Sequence, residues 1–213
     1  MSAHPTPVVA WHGGDDPTTP LVVLLHGRGS DEREILGLAD LLPQGPSYAA
    51  VRAPIPEGTG FAWFANQGIG RPVPESLAAG IAWFRAWLDE VAPHGRPVVL
   101  VGFSGGATFA GGVVLDDPDR TDGLATLFAT LPFDAGVPTE PGRLAGVAVL
   151  VAQGDQDTVI PPGLQARSWA YLHEDSGAVV TAHRAPGGHG LTHDDLAVVS
   201  AWLSDRLAST VAH

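Results

Sequence analysis

Uninterrupted aliphatic runs recur along the chain, separated by stretches with helical spacing and by turns rich in glycine and proline. The run Leu21–Leu25 is apolar at every position and ends in His26-Gly27. A run without polar alternation is typical of a strand that is buried on both faces. Similar runs predict strands at positions 47–53, 98–103, 124–130, 147–152 and 179–183.

Helical spacing is clearest between positions 75 and 91, with Pro74 at the start and Pro93-His94-Gly95 at the end. Four apolar residues fall three or four positions apart and therefore share one helical face: Leu77, Ile81, Phe84 and Leu88. Asp31 is suited to cap a helix that runs to about position 42. Further helices are predicted at 105–115, 162–174 and 192–207.

The alternation of buried strands with amphipathic helices predicts an α/β fold, in which a mostly parallel sheet carries helices on both faces. No repeat, low-complexity tract or long linker divides the 213 residues, so we expect one domain over residues 1–213. Ligands of such sheets bind at the carboxyl ends of the strands. The chemically active residues should therefore lie in the loops that follow the strands.

Charge and composition narrow the possible functions. The formal net charge is −12, and all eleven basic residues are arginine. A chain this acidic carries no electrostatic signature of binding to nucleic acid or to an anionic membrane surface. The absence of cysteine excludes disulfides, thiolate metal sites and a cysteine nucleophile, and the absence of lysine excludes Schiff-base chemistry.

The first residues, MSAHPTPVV, lack the basic and apolar segments of a signal peptide. The longest apolar runs are also too short to span a bilayer. We therefore expect a cytoplasmic protein without stable membrane insertion. The sequence leaves the oligomeric state open, a homodimer included.

The segment most informative about chemistry is Gly102-Phe103-Ser104-Gly105-Gly106, a G-x-S-x-G motif between a predicted strand and a predicted helix. In this context a sharp turn holds the serine at its apex, and glycine is needed where side chains would collide. The helix that follows directs its first amide groups toward developing negative charge. Ser104 is therefore the candidate nucleophile for attack on an ester or thioester carbonyl.

A serine nucleophile needs a base, and the base needs an orienting acid; in this fold an Asp or Glu and then a His follow the serine. After the strand at 147–152, Asp157 is the preferred acid, whereas Asp155 is expected to hold the turn through backbone amides. His189 lies in a glycine-flanked loop and is the preferred base. Its rival, His193, is expected in the first turn of the last helix.

His189 and His193 also have the i, i+4 spacing of a metal-binding pair, for which Asp194 or Asp195 would be a third ligand. A lone pair of histidines is weak evidence, so no metal ion and no cofactor is predicted. His26 lies in the loop after the first predicted strand. The remaining histidines are expected at surface or structural positions: His4, His12, His94, His173, His183 and His213.

Acyl transfer forms a tetrahedral oxyanion, which two convergent backbone N–H groups stabilise best. We expect one donor from Gly105, directly after the nucleophile, and the other from the loop at 26–30, at the Arg28 amide. Phe61, Trp63 and Phe64 lie in a stretch rich in glycine and proline. These aromatic residues either line an apolar acyl pocket or pack on the core.

Six segments keep one order along nearly the whole chain: LLHGRGSDE from position 24, AP from 53, GFAWF from 60, GFS from 102, GDQD from 154 and GH from 188. In this combination they resemble the phospholipase/carboxylesterase family, which includes acyl-protein thioesterases and small bacterial carboxylesterases. The resemblance implies an α/β-hydrolase fold with little or no cap domain, and a triad of Ser104, Asp157 and His189. It also implies small-molecule substrates: short or medium acyl esters, lysophospholipids or acyl thioesters.

The chain departs from the pattern of that family at two points, and both bear on substrate preference. Gly105 stands where the family usually has glutamine, and the segment TLPFD at 130–134 stands where it often has Ser-Gly followed by an apolar pair. Three alternative functions follow from the residues: lactone or dienelactone hydrolysis, ligand binding without catalysis, and metal-dependent hydrolysis. Dienelactone hydrolases usually carry a cysteine nucleophile, which this chain lacks.

Overall fold

The computed structural model describes residues 4–210, so His213 lies outside the described residues. The strands of the described part are β1 (Val9–His12), β2 (Leu21–Leu25), β3 (Ser47–Val51), β4 (Ile55–Glu57), β5 (Gly60–Ala62), β6 (Val98–Phe103), β7 (Gly123–Leu127), β8 (Ala148–Gly154) and β9 (Val179–Ala185). Its α-helices are α1 (Glu32–Leu36), α2 (Pro74–Val91), α3 (Gly105–Asp116), α4 (Pro162–Ala170) and α5 (His193–Thr210).

The main sheet has the strand order β1-β3-β2-β6-β7-β8-β9, and β4 and β5 form a separate antiparallel hairpin. Strand β1 runs antiparallel to β3, and all other pairings described in the main sheet are parallel. This arrangement confirms the predicted α/β-hydrolase-like fold. The carboxyl ends of β2, β6, β8 and β9 therefore open on the same edge of the sheet.

Helices cover both faces of the sheet, which explains the unbroken aliphatic runs. In β2, Leu21, Val23 and Leu25 pack in the same core as the buried side chains of α2 and α3. The alternate residues Val22 and Leu24 pack in the second core, with side chains of α1 and α5. Successive strand residues point to opposite faces, so a strand covered on both sides has no polar position.

Helix α2 follows its predicted pattern closely. It begins at Pro74, and its four predicted core residues are all buried: Leu77, Ile81, Phe84 and Leu88. The cap on α1 also forms, since the Asp31 carboxylate accepts hydrogen bonds from the Arg33 and Glu34 amides. That helix is α-helical only to Leu36, and a 3-10 turn continues it over Gly37–Leu41.

Other predicted boundaries were wrong for local backbone reasons. The strand expected at 124–130 ends at Leu127, because Phe128 adopts a φ of +53° that turns the chain out of the sheet. The helix expected at 162–174 changes to a π-helical turn over Tyr171–Asp175. Strand β1 and the β4–β5 hairpin were not predicted, because strands of three or four residues are too short to show a period.

None of the helices in residues 4–210 combines the length and the apolar character that crossing a bilayer requires.

Candidate active site

The turn between β6 and α3 holds Ser104 in an unusual backbone conformation, with a φ of +50°. Glycine on either side of this turn is a steric requirement. A Cβ on Gly102 would lie 2.5 Å from the Ala107 Cα, and one on Gly106 would lie 2.2 Å from the Leu25 carbonyl oxygen. The chain can reverse this tightly only without those side chains, which leaves the Ser104 hydroxyl at the apex of the turn.

Ser104, His189 and Asp157 form one continuous hydrogen-bonded chain. The Ser104 hydroxyl donates to His189 Nε2 at 2.8 Å, and His189 Nδ1 donates to Asp157 Oδ2 at 2.8 Å. Because an ionised carboxylate only accepts hydrogen bonds, the proton of the neutral imidazole lies on Nδ1. Nε2 is thereby left with a lone pair facing the serine hydroxyl.

Asp157 both orients the histidine and shapes its own turn. Its Oδ1 accepts hydrogen bonds from the Val159 and Ile160 amides, while Oδ2 faces His189. Burial raises the pKa of Asp157, but the His189 hydrogen bond and the two amides outweigh burial and hold that pKa below its usual value. Asp157 therefore stays ionised at neutral pH.

The residues that competed for these roles lie elsewhere. Asp155 is exposed, and within residues 4–210 its carboxylate accepts no hydrogen bond; the turn-holding role expected of it belongs to Asp157. His193 is exposed at the start of α5. Asp195 is fully buried, where its carboxylate accepts from Thr192 and pairs with His183 Nε2 at 2.8 Å.

That pairing commits Asp195 to capping α5 and fastening it to β9. In the described part of the chain, no group of three or more His, Asp or Glu side chains is arranged to hold a metal ion.

The loop at 26–30, here termed the oxyanion loop, lies directly against the start of α3. A Cβ built on Gly105 would be 3.2 Å from the Arg28 amide nitrogen. Within residues 4–210 the Arg28 N–H has no hydrogen-bond acceptor, and the Gly105 N–H lies in the first turn of α3, where helix amides have no intrahelical acceptor. Both predicted donors are thus close together beside Ser104.

The β4–β5 hairpin holds the oxyanion loop in place. The Gly29 amide donates to the Phe61 carbonyl at 2.9 Å, and the Phe61 amide donates to the Ser30 carbonyl at 3.0 Å. The Arg28 guanidinium also donates twice to Glu57 Oε1, at 2.8 and 2.6 Å. The Arg28 side chain is therefore paired with Glu57, while its amide stays available.

His26 is a second support of the oxyanion loop. The sequence located this residue in the loop but predicted no role for it. It is fully buried; the Ala53 amide donates to its Nε2 at 3.1 Å, and its Nδ1 donates to the Gly27 carbonyl at 2.7 Å. Its own carbonyl accepts from Trp63 Nε1 at 2.8 Å. Burial lowers the pKa of His26, against the opposing effect of the Gly27 carbonyl and nearby carboxylates, so the ring is neutral at pH 7.

Two cavities meet at Ser104. The narrow cavity, of about 60 Å³, is lined beside Ser104 and Gly105 by Trp63, Phe64, Thr108, Thr130 and Ile160. The open cleft, of about 600 Å³, is lined beside Ser104 and His189 by Ile35, Leu38, Phe103, Val159 and Leu191. Ser104, Arg28 and Ile69 border both spaces.

Of the three aromatic residues considered for an acyl pocket, two line a cavity at Ser104 and one does not. Trp63 and Phe64 are buried and line the narrow cavity. Phe61 lines neither space: its ring lies 4.7 Å from the Arg52 guanidinium, so the expectation that it belongs to the pocket was wrong. Phe61 precedes Ala62 in β5, and neighbouring strand residues point to opposite faces, so Ala62 faces the cavity instead.

Comparisons with known proteins find a family model that matches nearly the whole chain and several similar proteins. A family model described as Phospholipase/Carboxylesterase matches residues 6–206. A carboxylesterase from Mesorhizobium loti is 30% identical, with 87% of this chain and 88% of that one covered and a TM-score of 0.77. The Bacillus cereus carboxylesterase shares the fold, with a TM-score of 0.82, 24% identity and 94% of each chain covered. MhqD of Bacillus subtilis (strain 168) is 25% identical over 192 residues, 88% of this chain and 94% of MhqD.

Proposed function

Because the chain belongs to the phospholipase/carboxylesterase family of α/β-hydrolases, we propose that it hydrolyses carboxylic esters through an acyl-enzyme on Ser104. The single observation that carries this proposal is the unbroken hydrogen-bonded chain from Asp157 through His189 to the Ser104 hydroxyl. A ligand-binding protein without catalysis has no need of a serine at a strained apex, or of a base aimed at it.

In the first half of the proposed reaction, Ser104 Oγ attacks the acyl carbon while His189 Nε2 takes the hydroxyl proton. The carbonyl electron pair moves onto the oxygen, which receives hydrogen bonds from the Arg28 and Gly105 amides. Asp157 stabilises the imidazolium that forms, because its low pKa keeps the carboxylate charged. Each amide donor is typically worth about 3–4 kcal/mol of the barrier.

The tetrahedral intermediate then collapses, and the bond between the acyl carbon and the leaving oxygen or sulfur breaks. His189 gives its proton to that leaving atom, so an alcohol or a thiol departs and the acyl group stays on Ser104. Water next attacks the acyl carbon, with His189 as base again. Release of the carboxylic acid restores the Ser104 hydroxyl.

Labelling with a fluorophosphonate, which reacts covalently with an activated serine, tests this proposal directly. We expect one label on Ser104, and we expect Ser104→Ala to lose the label and about 10⁴-fold or more of kcat on p-nitrophenyl acetate. Ser204→Ala, on the exposed side of α5, is the matched control and should keep both. Full esterase activity of the Ser104→Ala protein would contradict the proposal.

A further inference from the structure

The narrow cavity at Ser104 is much smaller than the open cleft, and this asymmetry bears on the substrate. We propose that the narrow cavity binds the acyl part of the ester and the open cleft binds the leaving group. The preferred substrates are then esters of a small acyl group, up to about four carbons, with a bulky apolar alcohol. This inference rests on the proposed function and adds the substrate class to it.

The position of His189 decides which part of the ester lies on which side. His189 must come within hydrogen-bond reach of the leaving atom in order to protonate it. It lines the open cleft and not the narrow cavity, whereas Gly105, an oxyanion donor, lines the narrow cavity and not the cleft. The leaving group therefore extends along the His189 side, and the acyl chain extends past Gly105.

The volume of the narrow cavity limits the length of the acyl chain. A cavity of about 150 Å³ holds benzene, which has six non-hydrogen atoms. In proportion, the narrow cavity of about 60 Å³ holds roughly two to three non-hydrogen atoms, the carbons that a propionyl or butyryl group carries beyond its carbonyl. An acetyl, propionyl or butyryl group fits within this limit, and an octanoyl chain exceeds it.

The walls of the narrow cavity resist expansion. The Trp63 ring is stacked on Phe109 at a centroid distance of 4.7 Å, and its Nε1 is fixed by the His26 carbonyl. On the opposite side, the hydroxyl of Thr130 lies 3.1 Å from the hydroxyl of Ser168, which also accepts from the Leu131 amide. Extension of the acyl chain on these two sides would displace a buried indole or break this buried network. The remaining wall includes Asn66, Ile69, Gly70 and Pro72.

The open cleft has the opposite character. Its lining is mainly aliphatic and aromatic, and Val159 remains 44% exposed at its rim. The Arg28 guanidinium at its border is already paired with Glu57, and the Glu34 carboxylate also borders the cleft. An apolar, uncharged leaving group suits this surface, whereas a phosphate-bearing one would meet Glu34 without a free guanidinium to offset it.

Two ester series separate the two sides of the substrate. In the first, p-nitrophenyl esters from acetate to dodecanoate vary the acyl group; we expect kcat/KM to fall about tenfold or more between butyrate and octanoate. In the second, methyl, butyl and 2-phenylethyl acetates vary the leaving group at similar alcohol acidity, followed by acid release. Here we expect kcat/KM to rise by about tenfold from methyl to 2-phenylethyl.

A matched pair of variants assigns each preference to its side. Ile160→Ala removes part of a narrow-cavity wall and should raise the octanoate-to-acetate ratio of kcat/KM by about tenfold. Leu191→Ala removes part of the cleft wall and should lower the 2-phenylethyl-to-methyl ratio while leaving the chain-length ratio as it is. Ala62→Val fills the narrow cavity and should lower the butyrate-to-acetate ratio, which tests the assignment even if Ile160→Ala fails to fold.

Failure of this inference can be told apart from failure of the proposed function. A wild-type preference for octanoate or longer chains would overturn the inference and leave the esterase activity standing. So would a change in acyl-length preference that follows Leu191→Ala rather than Ile160→Ala or Ala62→Val. If no ester of either series is cleaved and fluorophosphonate leaves Ser104 unlabelled, the proposed function itself is wrong.

Discussion

Adding a single methyl group at Gly105 tests whether the Arg28 amide stabilises the oxyanion. The Cβ of Gly105→Ala would lie 3.2 Å from the Arg28 nitrogen and 3.3 Å from the Arg28 Cβ. Both contacts are tighter than usual, so the oxyanion loop must move away by a few tenths of an ångström. The backbone of Gly105 is not in the left-handed region, so alanine introduces no further strain.

The expected size of the effect follows from the value of one oxyanion donor. Complete loss of such a donor costs about 2.7–4 kcal/mol, or about 10²–10³ in kcat. A donor that is displaced but still present should lose roughly half of that free energy, about 1.5–2 kcal/mol. Since about 1.4 kcal/mol corresponds to a factor of ten, kcat should fall by about 10- to 30-fold.

The assay compares Gly105→Ala with Gly112→Ala, the same substitution in the same helix. A Cβ on Gly112 would lie 3.4 Å from Ile81 and Pro132 side-chain atoms, an ordinary contact. This control should keep the wild-type kcat on p-nitrophenyl acetate and gain up to about 1 kcal/mol of stability from helix propensity. If folded Gly105→Ala keeps the wild-type kcat, the Arg28 amide is not an oxyanion donor.

Two further predictions concern the histidines and their partners. Asp157→Asn should lower kcat by about 10⁴-fold, because the amide no longer fixes the His189 tautomer or stabilises its cation, whereas exposed Asp155→Asn should not change kcat. Because burial lowers the pKa of His26, its imidazole takes up a proton near pH 6.5 in the unfolded chain but stays neutral at that pH in the folded chain. The stability that His26 contributes is therefore present above about pH 6.5 and is lost below it, by up to about 1.4 kcal/mol per pH unit. Urea denaturation at pH 7.5 and 5.5 should show a smaller loss for His26→Gln than for the wild type, and equal losses would contradict the argument.

The sequence predicted best the strands and helices whose ends are determined by residues within the same segment. The run Leu21–Leu25 and the helix from Pro74 have an apolar pattern, and their ends coincide with those of β2 and α2. The end of β7 could not be predicted from the sequence. Phe128 leaves the sheet through a left-handed backbone conformation, and no neighbouring glycine or proline indicates it. Edge strand β1 exists because β3 offers it partners 36 to 42 residues away along the chain, from the pairing of His12 with Tyr48 to that of Val9 with Val51.

In the candidate site, too, residues positioned by their own loops could be predicted, whereas residues positioned by contacts distant in sequence could not. Ser104, Asp157 and His189 are marked by their own turns, since a nucleophile, an acid and a base each need a particular loop after a strand. The support of the oxyanion loop has no such mark. His26 meets an amide 27 residues away and an indole 37 residues away, and both contacts exist only once the hairpin has folded over the loop.

The same reasoning explains why the chemistry of this chain is easier to derive from sequence than its substrate. Bond making and breaking depends on a few atoms whose residue types are restricted, so a motif records them. The volume available to an acyl chain depends on how Trp63 stacks on Phe109 and how Thr130 meets Ser168, contacts in which many residue types would serve. Thr130 opens one of the two segments that depart from the family pattern, and Gly105 is the other departure. Both line the narrow cavity, so the departures fall on the space that selects the acyl group rather than on the triad of Ser104, Asp157 and His189.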